Sequence, residues 1–171
     1  MAILPEEDSI LRKQIENNAT VNLKKLGCPA ISALEHFGAK GLGDMGEEAT
    51  YIKLCNSGID FVLTIALNHK TKEKYYDSES SLLYPGNFYY KRIWNYKNKL
   101  DDEKNNSLEC FYESILFDLA SLQALSVFRT RHFDESEKMK SSNDLTTRLV
   151  RKMLKEKVLA KQITPPSLKP F

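Results

Sequence analysis

Cysteine is scarce in this chain. Cys28, Cys55 and Cys110 lie far apart, and their number is odd. No Cys-x-x-Cys pair and no Cys/His cluster is present, so neither a zinc site nor a disulfide framework is expected. The thiols read as buried or idle groups of a reducing compartment, and a cytoplasmic location is the expectation. An excess of charge of one sign is also missing. Lysine and arginine number 25 against 23 acids, a formal net charge of +2. At whole-chain level this gives no pull toward nucleic acid or anionic lipid. The first residues, MAILPEEDSIL, carry acids where a secretory signal would carry a basic segment and an apolar stretch.

Catalytic signatures are missing as well. There is no Gly-x-Ser-x-Gly and no cysteine-plus-histidine signature. His36, His69 and His132 are isolated from ligand-type partners. No enzymatic activity, cofactor or metal is therefore expected. One glycine motif stands out, GLGDMG at Gly41–Gly46. A dinucleotide site needs a strand directly before such glycines and a helix N-terminus that attracts phosphate. The preceding ISALEHFGAK reads as helix, and Asp44, Glu47 and Glu48 place negative charge where phosphate would sit. These glycines read as a joint.

What the chain has is apolar residues at helical spacing. Its 171 residues suit one domain, taken as residues 1–163 with a loose tail at 164–171. Ile10, Leu11, Ile15, Ala19, Leu23 and Leu26 recur every three or four positions, and Gly27 offers a stop. A short helix opening near Pro29 and a third from Asp44 to Leu54 follow. Ile59–Leu67 is a continuous β-branched run, read as helix in preference to strand because no partner strand is obvious. Ser107–Phe128, SLECFYESILFDLASLQALSVF, reads as a long, nearly all-round apolar helix. Glu109, Glu113 and Asp118 keep it out of a membrane, since a carboxylate at mid-bilayer costs about 2.5–3.5 kcal/mol. The fold expected is mostly α: a bundle of five or six helices around that central helix, with a possible small hairpin near Tyr89.

Two surfaces invite a partner. The last helix, read as Asp144–Gln162, gathers Arg148, Arg151, Lys152 and Lys155 on one stripe opposite Leu145, Leu149, Val150, Met153 and Leu154. That stripe suits nucleic acid, an anionic membrane surface or an acidic partner, or it is simply a solvated face. Tyr89, Tyr90, Trp94 and Tyr96 lie in an aromatic-rich stretch, which suits a protein interface or plain core packing.

The order Tyr75-Tyr76, Pro85, Trp94, the charged run Asp101–Lys104 and then Ile115-Leu116-Phe117-Asp118-Leu119-Ala120-Ser121-Leu122 resembles the middle of a Bro1 domain, the helical module of Alix-like and rhophilin-like adaptors. The resemblance covers Lys74–Phe128, about a third of the chain. Asp118 stands where the family usually has asparagine, and a whole Bro1 domain is about twice as long. It implies a helical adaptor in endosomal or vesicle trafficking. The combined expectation is a non-enzymatic protein–protein interaction module. The alternative is a nucleic-acid-binding accessory protein working through the basic last helix.

Overall fold

The structure, a computed structural model, describes residues 2–3, 8–39, 42, 45–69 and 109–159. In chain order the elements are strand β1 (Ala2–Ile3) and helices α1 (Ser9–Lys25), α2 (Ala33–Phe37) and α3 (Glu47–Asn56). Strands β2 (Phe61–His69), β3 (Glu109–Asp118), β4 (Gln123–Arg129) and β5 (Phe133–Asp134) follow. A 3-10 turn, Glu135–Glu137, leads into helix α4 (Lys138–Lys155). The strands form one sheet in the order β1-β2-β3-β4. β1 runs parallel to β2, the other pairings are antiparallel, and β5 pairs with β3 near its start. The architecture is mixed α and β, so the all-α helical bundle expected from the sequence is wrong.

The decisive error lies at Ser107–Phe128. Its described part, from Glu109 on, is the hairpin β3–β4 and contains no helix. The reason is burial on both sheet faces. Ile115, Leu116 and Phe117 are all buried, with side chains pointing alternately to two different cores. A strand covered on both sides loses its polar/apolar alternation and looks like a buried helix. The turn was hidden too, because Asp118-Leu119-Ala120-Ser121-Leu122 contains no glycine, proline or asparagine. Asp118 builds it instead: its carboxylate accepts from the Ala120 N–H at 3.0 Å and the Ser121 hydroxyl at 2.6 Å. Leu122 then takes a left-handed φ of 55°. The Ser121 hydroxyl, with help from the Ala120 and Ser121 backbone donors, outweighs the burial that would raise it and holds the Asp118 carboxyl below its usual value.

Ile59–Leu67 is likewise corrected. Phe61–His69 is a strand, and its partner is β3, in register from Phe61↔Asp118 to His69↔Cys110. The helices around these strands were better marked. Gly27 ends α1 with φ 77°, and Gly58 follows α3 with φ 67°. α2 is capped by Ser32, whose Oγ accepts from the Glu35 N–H. α4 runs from Lys138 to Lys155, so it begins and ends earlier than the Asp144–Gln162 read from the sequence. Ser142 sits buried inside the helix and donates to the Met139 carbonyl at 2.6 Å. The hairpin expected near Tyr89 and the tail at 164–171 lie outside the described residues.

α1 and α4 lie side by side on one face of the sheet. Leu11, Ile15 and Ala19 of α1 meet Leu145, Leu149, Val150 and Met153 of α4 over Ile65, Leu67, Cys110, Tyr112 and Leu116. Polar bridges Asn18–Asn143 and Asn22–Thr146 run up the pair in the same order, so the helices are parallel. The opposite face carries Val62, Ala66, Ile115 and Phe117 with Leu42 and Leu54. One polar atom sits badly between them: the buried Ser114 Oγ has no hydrogen-bond partner among the described residues. Its hydroxyl is desolvated without compensation. Ser114→Ala is therefore expected to leave stability unchanged or raise it by up to about 1 kcal/mol. Urea denaturation checks this, and a loss larger than that would show that the hydroxyl is paired.

Candidate functional site

The two helices that cover the sheet concentrate positive charge. α1 carries Arg12, Lys13, Lys24 and Lys25 against one acid, Glu16. α4 carries Lys138, Lys140, Arg148, Arg151, Lys152 and Lys155 against one acid, Asp144. The pair thus holds ten basic and two acidic residues, leaving fifteen basic and twenty-one acidic in the rest of the sequence. A net charge of +2 conceals a segregated distribution. The parallel arrangement brings both helix C-termini, with Lys24, Lys25, Lys152 and Lys155 in their last turns, to one end of the layer. Cations are favoured there by the negative ends of the helix dipoles.

Not every basic residue is available. Arg12 pairs with the buried Glu16 at 3.3 Å. Lys138 sits between Asp8 and Glu135, each at 2.8 Å. Burial lowers the Lys138 value, but the hydrogen bonds to Asp8 and Glu135 more than reverse this and raise it above the ordinary lysine value. Among the described residues Arg148 makes one long contact, 3.7 Å to Asp144, both well exposed. Arg151 and Lys155 are exposed. The same layer shows isolated aliphatic side chains to solvent: Ile10 at 69%, Val21 at 48% and Leu154 at 36% exposure.

Lys152 has a different role from the one its position on the stripe suggests. Its Nζ donates to the Val127 carbonyl of β4 at 2.6 Å and lies 5.4 Å from the centre of the Phe128 ring. Glu156, 3.5 Å from the same ammonium, accepts from the Ser126 hydroxyl. α4 is thereby laced to the outer side of β4. The helix spacing gave no sign of this, because the target carbonyl belongs to a strand read as helix.

Backbone parity along β4 follows from one bond. The Thr130 N–H donates to the Tyr112 carbonyl at 2.9 Å. Stepping by two, the pairs Ser114↔Phe128 and Leu116↔Ser126 exchange hydrogen bonds with β3. The pairs between them, Glu113↔Arg129 and Ile115↔Val127, turn the β4 N–H and C=O groups outward. Lys152 on the Val127 carbonyl agrees with this parity. Among the described residues β4 pairs only with β3, so its outer side is a sheet edge.

The other candidates resolve as follows. The buried Cys110 thiol is pushed up to about 12, by burial first and then by Glu135, so it stays protonated and is no nucleophile. Cys28 is buried and Cys55 exposed, and all three cysteines are free. Among the described residues no group of three His, Cys, Asp or Glu side chains could hold a metal. Nor is any described helix long and apolar enough to cross a membrane. Of the glycine motif, Gly46 is the N-cap of α3 and Leu42 packs in the second core. Helix α2 precedes the motif where a nucleotide fold needs a strand. Tyr89, Tyr90, Trp94 and Tyr96 lie outside the described residues. The helix that the Bro1 resemblance places at Ile115–Leu122 is the end of β3 and its turn. The chain matches no protein-family model, no curated protein and no solved structure.

Proposed function

We propose that this chain is a non-catalytic binding module that takes an anionic protein partner on the face formed by α1 and α4. The observation that carries the reading is the segregation of ten basic and two acidic residues on these helices in a chain of net charge +2. Arg148, Arg151 and Lys155 supply its exposed charge. A protein is favoured over nucleic acid because the same surface mixes these cations with Ile10, Val21 and Leu154. Exposed aliphatic side chains set among cations can be covered by a protein, whereas a phosphate backbone offers them nothing.

The test is fluorescence anisotropy with labelled poly-glutamate and with single-stranded and duplex oligonucleotides, each over a salt series. Poly-glutamate is expected to bind more tightly than either oligonucleotide. The variant Arg148→Glu/Arg151→Glu/Lys155→Glu, shown by circular dichroism to fold, is expected to weaken it at least tenfold at low salt. Three reversed contacts at about 0.5–1 kcal/mol each reach that size. Tighter binding of an oligonucleotide, with steep salt dependence, would transfer the same residues to the nucleic-acid reading. Unchanged binding by the variant would remove the helical face as the site.

A further inference from the structure

The edge of β4 lies directly beside one flank of α4, whose Lys152 reaches the Val127 carbonyl. Arg148 and Lys155 lie within about 60° of Lys152 around the helix axis at 100° per residue, so the three share the flank that overhangs β4. On that side of the sheet, Ser126 and Phe128 sit beneath α4. On the other side, Ala124 and Val127 join the second hydrophobic cluster. Along the edge itself, Val127 and Arg129 direct backbone groups outward. The Val127 carbonyl is filled by a lysine ammonium where a neighbouring strand would place an N–H.

We propose that this edge accepts an extended peptide as an additional strand, and that the peptide alternates acidic with aliphatic residues. Strand addition supplies affinity through main-chain hydrogen bonds and specificity through alternate side chains. Residues of one parity come to lie under α4, where Arg148, Lys152 and Lys155 select carboxylates. Residues of the other parity extend the apolar surface of Ala124 and Val127. The incoming N–H displaces Lys152 from the Val127 carbonyl, and the freed ammonium pairs with a peptide carboxylate. A second copy of this chain does not fit. Pairing two β4 edges would set both α4 helices on the same sheet face and bring their cationic flanks together. The proposal rests on the anionic-partner reading above and extends its site from the cationic outer face of α4 to the adjoining β4 edge.

Two fluorescent octapeptides of alternating glutamate and valine test it. They have equal charge and are N-methylated at alternate amides, one on the glutamates and the other on the valines. Methylation removes the amide donors of one strand edge only. One peptide is expected to bind like the unmethylated parent and the other at least tenfold more weakly. A register slip cannot rescue the weak one, because it would turn its carboxylates to the apolar side. Val127→Pro is expected to weaken the parent at least tenfold while leaving the fold intact. The Val127 N–H makes no bond to β3, and proline is tolerated at such edge positions. Equal binding of both methylated peptides would overturn strand addition and leave binding to the helical face standing. Failure of all three peptides and of poly-glutamate at low salt would overturn both readings. Should Val127→Pro unfold, the methylated pair decides alone.

Discussion

Replacing Glu16 with glutamine is expected to cost about 3–5 kcal/mol of folding stability, a large share of what a domain of this size possesses. Glu16 lies on α1 beside the core residue Ile15, almost completely buried. Its Oε1 accepts from the Ala2 N–H at 2.9 Å and the Arg12 Nε at 3.3 Å. Its Oε2 accepts from the Ser32 hydroxyl and the Leu34 N–H, both at 2.7 Å. One carboxylate thus fastens β1, α1 and the start of α2. All four neighbours are donors, so the NH₂ of a glutamine must face a donor whichever way the amide is turned. Urea denaturation with a circular-dichroism readout measures the loss. A change under about 1 kcal/mol would show that the carboxylate is not the clamp described.

The same residue sets a pH dependence. Burial alone would raise the Glu16 value. The positive amino terminus and the hydrogen bonds from Leu34, Ala2 and Ser32 outweigh it and hold the carboxyl below 4.5. A value lower in the folded than in the unfolded chain makes the carboxylate stabilising above the unfolded value. That contribution is lost as pH falls through the folded value. The urea midpoint of the wild type is therefore expected to decline from about pH 4.5 downward. Glu16→Gln, having no proton to gain, should decline less over the same range. Parallel declines in the two proteins would assign the acid limb to other carboxylates.

Tyr112→Ala is expected to cost about 3–5 kcal/mol, and Tyr112→Phe only about 1 kcal/mol. Tyr112 is the largest fully buried side chain among the described residues. It sits on β3 beneath the point where α4 begins. Its hydroxyl donates to the Lys138 carbonyl at 2.8 Å, and its ring lies 5.2 Å from that of Phe133. Burial, followed by the neighbouring Cys110 thiol and the negative charge of Asp8 and Glu135, raises the phenol well above the ordinary tyrosine value. The group therefore stays a neutral donor throughout the working range. Most of its contribution is ring volume in a packed core, and the hydroxyl adds one hydrogen bond. Chemical denaturation of the two variants separates the terms. Equal losses would mean that the hydrogen bond, and not the packing, holds the start of α4 on the sheet.

Local signals marked the helices, while the sheet escaped them. Periodic apolar residues and terminal glycines revealed α1 and α3, and a basic stripe opposite an apolar one revealed α4. These features depend on neighbours three and four residues apart, which a sequence displays directly. β2 and β3 bury both faces, and a strand so placed has no alternation to read. Their pairing joins Phe61 to Asp118 across a long intervening segment, which no local pattern encodes. Glu16 did leave a trace, as an acid in the apolar register of α1. Its four donors come from β1, α1, Ser32 and Leu34, and only the folded chain assembles them. Lys152 shows the same division. Its place on a cationic stripe follows from helix spacing alone. Its attachment to the Val127 carbonyl exists only because β4, the last strand of the sheet among the described residues, lies beside α4 and turns a carbonyl outward that needs a donor.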